Sequence, residues 1–236
     1  MQPGQVYLIP TLLHESAPET IPAYILNAVK DCQVFFVENE KTARRFLKSI
    51  WKEMVIDNYQ WFAIHKAEEQ VRKTFIDTLR SGKNAGIISE AGCPGVADPG
   101  QLLVEAAQSA NIKVRPLVGP NSILLALMAS GMNGQCFQFH GYLPIDAIER
   151  RQKLKELESQ SHKQQCTQIF IETPYRNNQL IKDTLQACRD TTQFCIAVDI
   201  TAPSEEIRSR SIKEWKLQAP DIHKRLAIFL LQAGGK

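Results

Sequence analysis

The chain has 236 residues, of which 44% are hydrophobic and 22% are charged, and its formal net charge is +3. This length and composition suit one large domain or two small ones, each with an apolar core, and the mild positive charge permits an anionic partner without requiring one. No apolar run approaches the length of about 18 residues that spans a bilayer, and the first residues lack the pattern of a signal peptide. We therefore expect a cytoplasmic protein with no membrane partner.

The cysteines follow no C-x-x-C spacing, and no histidine stands at metal-ligand spacing from any of them. They are Cys32, Cys93, Cys136, Cys166, Cys188 and Cys195. This pattern predicts reduced and mostly buried thiols, with neither disulfides nor a metal site. Cys93 lies in a loop rich in glycine and proline, but no histidine or charge beside it favours a nucleophilic role.

In the first half of the chain, short apolar runs that predict strands alternate with segments of helical spacing. The strands are predicted at residues 6–9, 34–37, 85–88 and 113–117, and the helices at residues 21–29, 42–50, 65–80, 101–110 and 123–129. Strands that alternate with helices indicate a parallel α/β sheet.

The second half has fewer helices for each strand, which favours a mixed or antiparallel sheet. Strands are predicted at residues 137–143, 168–172, 194–200 and 226–231, and helices at residues 145–164 and 177–188. The sequence G-M-N-G at residues 131–134 reads as a linker. We therefore predict an N-terminal α/β domain over residues 1–131 and a C-terminal α/β domain with a mixed sheet over residues 135–236.

Several loops that contain glycine or proline follow directly after predicted strands, at residues 10–13, 89–94, 119–122 and 173–176. The sequence contains no G-x-G-x-x-G after its first strand, no P-loop and no nucleophile elbow, so the usual phosphate cradles and serine chemistry are absent. Loops that converge at the carboxyl edge of a parallel sheet form a ligand crevice. Each loop taken alone is equally explained as a structural turn.

Residues 89–100, S-E-A-G-C-P-G-V-A-D-P-G, resemble the S-D-A-G-x-P-x-x-x-D-P-G signature of the tetrapyrrole methylase superfamily. The match is nearest to the branch that methylates the ribose 2′-oxygen of a 16S ribosomal RNA cytidine. Residues 6–11 are similar to its L-Y-x-V-P-T-P, residues 116–122 to its P-x-P-G-P-x-A/S, residues 141–144 to its G-F-L-P, and residues 171–176 to its Y-E-S/A-P-H-R. The resemblance covers essentially the whole chain.

The resemblance implies two α/β domains with S-adenosylmethionine in the cleft between them, held largely by backbone groups, in a homodimer that uses no metal. The positions that match cofactor-binding positions of the family are Pro10, Ser89, Glu90, Ala91, Gly92, Val96, Ser122, Ile171, Thr201, Ala202 and Ala227. Small residues in such a loop let the backbone approach a cofactor closely. Asp98 is expected to fix the loop and cap the following helix rather than to take part in chemistry.

Methyl transfer from a sulfonium to a ribose hydroxyl is an in-line displacement, so alignment supplies much of the rate. The hydroxyl must still lose a proton to a base, or be favoured as an alkoxide by nearby cations. Glu90, Glu172 and His65 are the candidate bases, and Lys41 and Arg176 are the candidate cations. A surface or loop-fixing role is an equal alternative for each of them.

The chain departs from the family where the acceptor is expected. The family's H-E-H-N-E is H-K-A-E-E at residues 65–69, its E-L-T-K is D-I-T-A at residues 199–202, and its K-G-E is R-L-A at residues 225–227. The loops that are expected to bind the cofactor match the family's motifs better than these charged positions do. This difference suggests a methyltransferase fold with a changed acceptor or reduced activity.

Three hypotheses remain open from the sequence. The first is an RNA ribose methyltransferase acting on the small ribosomal subunit, with Arg150, Arg151, Lys153 and Lys155 as a phosphate-contacting helix face. Interleaved glutamates make an ordinary solvated face the alternative for that helix. The second is a methyltransferase for a porphyrin-like or corrin-like small molecule. The third is a paralogue that binds S-adenosylmethionine without catalysis.

Overall fold

A computed structural model of the chain describes residues 2–64 and 68–234. The strands within these ranges are β1 (Val6–Ile9), β2 (Val34–Val37), β3 (Gln60–Ala63), β4 (Ala85–Ile88), β5 (Val114–Pro116), β6 (Phe137–Tyr142), β7 (Thr167–Ile171), β8 (Gln193–Val198), β9 (Glu206–Ser211) and β10 (Ala227–Gln232). The α-helices are α1 (Ile25–Asp31), α2 (Glu40–Ile50), α3 (Glu68–Arg80), α4 (Gln101–Ser109), α5 (Ser122–Ser130), α6 (Ala147–Gln164), α7 (Asn177–Ala187) and α8 (Ile212–Leu217). No helix in the described part of the chain is long and apolar enough to cross a membrane.

The chain divides into two compact units, Met1–Asn121 and Ser122–Lys236. The first unit contains a 5-stranded sheet in the order β3-β2-β4-β1-β5. All of its neighbouring strands run parallel. The prediction of a parallel α/β sheet is therefore confirmed.

Two apolar cores cover the two faces of the first sheet. The sequence V-F-F-V of β2 alternates between them: Phe35 packs with Val29 of α1 and Leu47 of α2, whereas Phe36 packs with residues of α3 and α4. The side chains of a strand point alternately to opposite faces, and a strand buried on both faces therefore reads as a continuous apolar run. Asn39 begins α2, because its side chain accepts hydrogen bonds from the backbone of the first turn.

The second unit contains a 5-stranded sheet in the order β6-β7-β10-β8-β9. The pair β6 and β7 is parallel, and the other pairs are antiparallel, which confirms the predicted mixed sheet. The register between β6 and β7 shifts between Phe139 and Tyr142, where Gly141 has a φ of +67°. This irregularity lies at the start of the G-Y-L-P segment.

Helix α5 belongs to the second unit, where it packs against β10, β9 and β8. The division therefore lies before Ser122, whereas the glycines of residues 131–134 suggested a boundary after this helix. The sequence prediction also omitted β3 and β9. Trp215 lies in an otherwise polar stretch of the sequence, yet it is buried on α8, and its indole N–H donates to the carbonyl of Phe194 at 2.8 Å.

Candidate functional site

The segments that follow β1 and β4 are joined at the carboxyl edge of the first sheet. The Thr11 N–H donates to the Gly92 carbonyl at 2.9 Å, and the two residues form an isolated antiparallel bridge. The Thr11 hydroxyl also donates to the Ser89 carbonyl at 3.4 Å. These contacts hold the Ser89–Gly92 backbone beside the end of β1.

The segment that follows β5 contacts the loop that follows β4. The Cys93 Sγ donates to the carbonyls of Gly119 and Pro120 at 3.6 and 3.4 Å. A Cβ on Gly119 would lie 2.1 Å from the Cβ of Pro10, so only glycine permits this approach. Residues 10–13, 89–94 and 119–121 of the predicted ligand loops therefore meet on the first unit, while Ser122 and residues 173–176 belong to the second.

This meeting point is where the chain leaves two neighbouring strands toward opposite faces of the sheet. The connection from β1 passes through α1, which packs in one core, and the connection from β4 passes through α4, which packs in the other. A crevice opens between the strand ends at such a switch point, and ligands of open α/β sheets bind there. The Gly/Pro loop after β4 therefore lies at the position where a ligand is expected.

Asp98 fixes the loop that follows β4. Its Oδ1 accepts hydrogen bonds from the N–H groups of Gly95 at 2.9 Å and Gly100 at 2.7 Å. Burial raises the pKa of the Asp98 carboxyl above its ordinary value, and these two hydrogen bonds act in the opposite direction. The predicted loop-fixing role is confirmed, but the side chain does not cap α4, whose first turn has no side-chain cap.

We expect Asp98→Ala to destabilise the protein by about 1–3 kcal/mol, because two half-buried N–H groups lose their acceptor. Asp98→Asn keeps an oxygen acceptor at the same position, so its loss should be clearly smaller. Urea unfolding of the two variants and the wild type measures the free energy of unfolding of each protein. Equal losses for both variants would show that the charge, and not the acceptor, holds the loop.

The loop also carries backbone and side chains suited to a ligand. Gly92 and Ala97 have positive φ values of 75° and 60°, and Val96 exposes 47% of its surface. Ala91 and Glu90 are exposed, whereas Ser89 is 5% exposed and donates its hydroxyl to the Ala91 carbonyl. The loop thus presents backbone groups and a small apolar surface.

The remaining predicted cofactor residues lie on the second unit. Ile171 ends β7, Ala227 begins β10, and Thr201 and Ala202 follow β8. β10 runs antiparallel to both β7 and β8, so these three sequence-distant positions share one edge of the sheet. Ser122, the first residue of α5, also belongs to this unit.

Thr201 is the unusual residue at that edge. Its φ is +72°, which a β-branched residue rarely adopts, and its N–H donates to Glu205 Oε2 at 2.7 Å. Its hydroxyl oxygen is buried and has no hydrogen-bond partner among the described residues. A buried hydroxyl without a partner is costly, and a polar ligand atom would satisfy it.

The carboxylate of the predicted base Glu172 is hydrogen-bonded to residues of the turn that follows it. The carboxylate, 5% exposed as a residue, accepts at Oε1 from the Thr173 N–H at 2.6 Å and from Arg176 Nε at 2.9 Å. Arg176 also contacts the same oxygen through Nη2 at 2.6 Å. These contacts favour a loop-fixing role for both residues over roles as base and cation.

The other predicted acid–base residues are more open or lie elsewhere. The Glu90 side chain is exposed on the loop after β4, residues 89–100, which we call the donor loop because the family resemblance assigns it to the methyl donor. The Glu90 backbone N–H donates to Glu38 Oε2 at 2.9 Å. Lys41 is exposed in the first turn of α2. His65 lies outside the described residues. No group of three His, Cys, Asp or Glu side chains in the described ranges is placed to hold a metal ion.

Sequence reasoning missed a contact network among residues 199–204 and 225–226. The guanidinium of Arg225 donates to Asp199 Oδ2 at 2.8 Å and to the Ser204 carbonyl at 2.7 Å. Asp199 itself has a φ of +50°, and its N–H donates to the Leu226 carbonyl. Arg225 and Asp199 therefore fix the turn that carries Thr201.

Comparison with known proteins decides the family. Residues 15–216 match the family model of the Tetrapyrrole (Corrin/Porphyrin) Methylases. The chain belongs to this family. Two solved family structures show the fold alone, since they share little sequence with the chain. They are the methyltransferase CobJ (TM-score 0.64, 15% identity, 98% of this chain and 95% of that one) and the uroporphyrin-III C-methyl transferase of Thermus thermophilus complexed with S-adenyl homocysteine (TM-score 0.58, 14% identity, 97% of each chain).

Among curated proteins, this family member is similar to several that are named ribosomal RNA small subunit methyltransferase I. The one from Vibrio cholerae is 34% identical over 154 residues, which are 65% of this chain and 52% of that protein. The one from Streptococcus pyogenes serotype M3 is 32% identical over 214 residues, or 89% of this chain and 70% of that protein. The one from Escherichia coli O157:H7 is 29% identical over 212 residues, or 89% of this chain and 70% of that protein. These matches cover 52% to 70% of the relatives' own length.

Proposed function

We propose that the chain is a methyltransferase that uses S-adenosylmethionine and acts on a ribose 2′-hydroxyl of small-subunit ribosomal RNA. The observation that carries this proposal is the convergence of the β1, β4 and β5 loops at the switch point of the first sheet. The family membership supports methyl transfer, and the names of the curated relatives support the RNA acceptor.

S-adenosylmethionine supplies a methyl group on a positively charged sulfur. We assign its binding to the residues that match the family's cofactor positions: Pro10, Ser89, Glu90, Ala91, Gly92 and Val96 on the first unit, and Ser122, Ile171, Thr201, Ala202 and Ala227 on the second. The residues present fit this ligand, because the loop after β4 offers backbone groups beside small side chains and Thr201 offers a buried hydroxyl that has no partner in the part of the chain that the structure describes.

The chain's part in catalysis is to align the acceptor hydroxyl and to receive its proton. Of the three candidate bases, Glu90 is the one whose carboxylate is exposed on the donor loop, and His65 is the second candidate by sequence. Glu172 contributes through the turn that it holds with Arg176. No metal is needed for a displacement at an already cationic sulfur.

An exposed basic stripe on α2 supports an RNA acceptor. Lys41, Arg45 and Lys48 are exposed and follow each other at the spacing of one helix face. Neither Lys41 nor Arg45 forms an ion pair with another described residue, whereas Arg44 beside them pairs with Glu40 at 2.9 Å. Lys48 donates to the carbonyls of Lys52 and Met54, so Lys41 and Arg45 are the cations of the stripe that suit the phosphates of a nucleic acid.

The stripe begins close to the donor loop. Asn39, which caps α2, comes directly after Glu38, and Glu38 accepts the hydrogen bond from the Glu90 backbone. A phosphate bound near Lys41 would therefore place a neighbouring ribose toward the loop after β4. The helix α6, for which the sequence suggested this role, does not serve it through Arg150, since that side chain is 3% exposed and pairs with the buried Asp183.

We expect the double variant Lys41→Gln/Arg45→Gln to bind a 16S ribosomal RNA fragment more weakly at low salt. The slope of log K against log salt should fall by roughly 0.7 for each phosphate that the variant no longer binds. The matched control is Lys155→Gln/Lys163→Gln, which removes the same charge from exposed positions of α6. Filter binding from low to moderate salt measures both slopes, and an equal change in the two variants would argue against the α2 stripe.

The decisive test of the function is methyl transfer with labelled S-adenosylmethionine to small ribosomal subunits that lack the ribose methyl group. We expect label in the RNA at a 2′-oxygen. Binding of the cofactor without transfer to RNA would overturn this proposal. Transfer to a tetrapyrrole precursor would then indicate the small-molecule hypothesis, and no transfer to either acceptor would indicate a non-catalytic paralogue.

The family resemblance also supports a homodimer, and a ribosomal RNA substrate supports a cytoplasmic location. Light scattering of the purified chain tests the first point, with a mass of twice 26.6 kDa as the expected result. A monomeric mass at micromolar concentration would contradict it.

A further inference from the structure

Cys136 and Cys166 are cross-strand neighbours on the second unit. Each directly precedes a strand, β6 or β7, and these strands pair in parallel with Phe137 opposite Thr167. The Thr167 N–H donates to the Cys136 carbonyl at 2.9 Å, which extends the pairing back to the two cysteines. Neighbouring strands lie about 4.8 Å apart, a separation within the range of Cα distances that a disulfide joins.

Corresponding residues of two paired strands project from the same face of the sheet, so the side chains of Cys136 and Cys166 are neighbours. Cys136 is exposed, whereas Cys166 is 3% exposed. An accessible thiol backed by a buried thiol is the arrangement in which an attacked cysteine is followed by a resolving cysteine. Cys136 Sγ donates to the Gln164 carbonyl at 4.0 Å, and Cys166 Sγ donates to the Thr167 carbonyl at 3.7 Å. Of the other described cysteines, Cys32, Cys188 and Cys195 are buried and Cys93 is half-buried.

We propose that Cys136 and Cys166 form a reversible disulfide when the protein meets a small-molecule disulfide oxidant, such as glutathione disulfide. This modification site is independent of the methyl-transfer site. The pair precedes β7, while Ile171 ends that strand at the opposite edge of the sheet.

The exchange has two steps. The Cys136 thiolate attacks one sulfur of glutathione disulfide, which forms a mixed disulfide and releases one glutathione thiolate. Cys166 then loses its proton to water and attacks the Cys136 sulfur, which forms the protein disulfide and releases the second glutathione thiolate. Two protein thiols are oxidised, and one glutathione disulfide is reduced to two thiols.

The order of the steps follows from burial and charge. Burial, together with the neighbouring Cys136, raises the pKa of the Cys166 thiol to about 11, so this thiol stays protonated at neutral pH. The thiolate, and not the thiol, is the attacking species, and the exposed Cys136 therefore reacts first. The second step proceeds because the pairing of β6 with β7 holds Cys166 beside Cys136.

The test incubates the reduced full-length protein with glutathione disulfide, alkylates the remaining thiols in denaturant and maps the peptides by mass spectrometry. We expect a Cys136–Cys166 crosslink, with a mass lower by about 2 Da than that of the two free peptides, and alkylation of the other four cysteines. Reduction with dithiothreitol should restore both free thiols. A glutathione adduct that stays on Cys136, or no reaction at all, would overturn the proposal.

Two variants separate resolution by Cys166 from simple surface oxidation. In Cys166→Ala the glutathione adduct on Cys136 should accumulate, because no second thiol displaces it. In Cys136→Ser neither the adduct nor the crosslink should form, and Cys166 should stay reduced. Cys93→Ser is the matched control and should form the crosslink as the wild type does. A Cys166→Ala variant that loses the adduct as fast as the wild type would contradict the assignment of Cys166, and circular dichroism confirms that each variant is folded.

Discussion

Replacing Gly92 with valine is expected to abolish measurable binding of S-adenosylmethionine. Gly92 has a φ of +75°, in a region that a β-branched residue avoids, and its carbonyl accepts the hydrogen bond from Thr11. A Cβ at this position would lie 3.3 Å from both Leu13 Cδ2 and the Pro120 carbonyl. The larger side chain must displace the segments after β1 or β5, and the backbone groups assigned to the cofactor move with them. Calorimetric titration measures the affinity.

Gly131→Val is the matched control for this variant. Gly131 has nearly the same φ, +71°, but no atom lies within 4 Å of its added Cβ, and it follows α5 rather than a ligand loop. The control therefore carries a similar backbone strain, of roughly 1–3 kcal/mol, without the steric conflict at the donor loop. Thermal unfolding shows that both variants are folded. An affinity of Gly92→Val within a factor of about two of the wild type would place the cofactor elsewhere.

The central strands of both sheets were predictable from the sequence, because a strand buried on both faces must be apolar along its whole length. V-F-F-V of β2 is such a run. Two edge strands, β3 and β9, were not predictable in the same way: β9 has the sequence E-I-R-S-R-S, and β3 starts with an exposed glutamine. An edge strand is held by backbone pairing with one neighbour, and that pairing leaves little trace in side-chain polarity.

The donor loop was found from its motif, but the roles of its residues depend on contacts that the motif does not contain. Asp98 was expected to fix the loop, and the hydrogen bonds from Gly95 and Gly100 show how it does so. Glu172 and Arg176 stand four residues apart, a spacing that permits an ion pair and could have warned against a free carboxylate. The partly strained turn at Thr201 had no comparable signal, since a positive φ at threonine contradicts its local preference.

The helix α6 shows that a charge pattern alone does not tell which cations are free at the surface. Arg150 and Arg151 look like neighbouring surface cations, yet both turn toward Asp183 of α7. The partner lies 33 residues away in sequence, so only the tertiary packing of α6 on α7 reveals the ion pair. By contrast, the side chains of Lys41 and Arg45 of α2 are exposed to solvent.

The cluster of Arg150, Arg151 and Asp183 is the charged group whose disruption should cost the second unit most. Asp183 is fully buried and accepts from Arg150 Nε at 2.8 Å, from Arg151 Nη1 at 3.0 Å and from Gln179 Nε2 at 3.3 Å. Arg150 Nη1 also donates to the Ile145 carbonyl at 2.7 Å, just after the G-Y-L-P segment. The ion pair therefore ties α7 to the start of α6.

We expect Asp183→Ala to destabilise the protein by about 3–5 kcal/mol, because it leaves the buried Arg150 guanidinium without a counterion. The double variant Arg150→Met/Asp183→Leu should recover most of this loss, since apolar residues of similar volume replace the whole pair. Chemical unfolding at neutral pH compares the three proteins. A double variant as unstable as Asp183→Ala would show that the hydrogen bonds of Arg150 to the loop carbonyls, and not the unpaired charge, dominate.

The same pair predicts how stability depends on pH. Burial acts to raise the pKa of Asp183, but the hydrogen bonds from Arg150, Gln179 and Arg151 outweigh it and hold the pKa below its ordinary value. A carboxyl with a lowered pKa in the folded state contributes stability above its unfolded pKa of about 3.9, and this contribution is lost as the pH falls toward the folded pKa. The stability difference between the wild type and Asp183→Ala should therefore stay constant from neutral pH down to about 5 and shrink below about 4. A difference that shrinks already between pH 7 and 5 would mean that a group other than this carboxyl controls it.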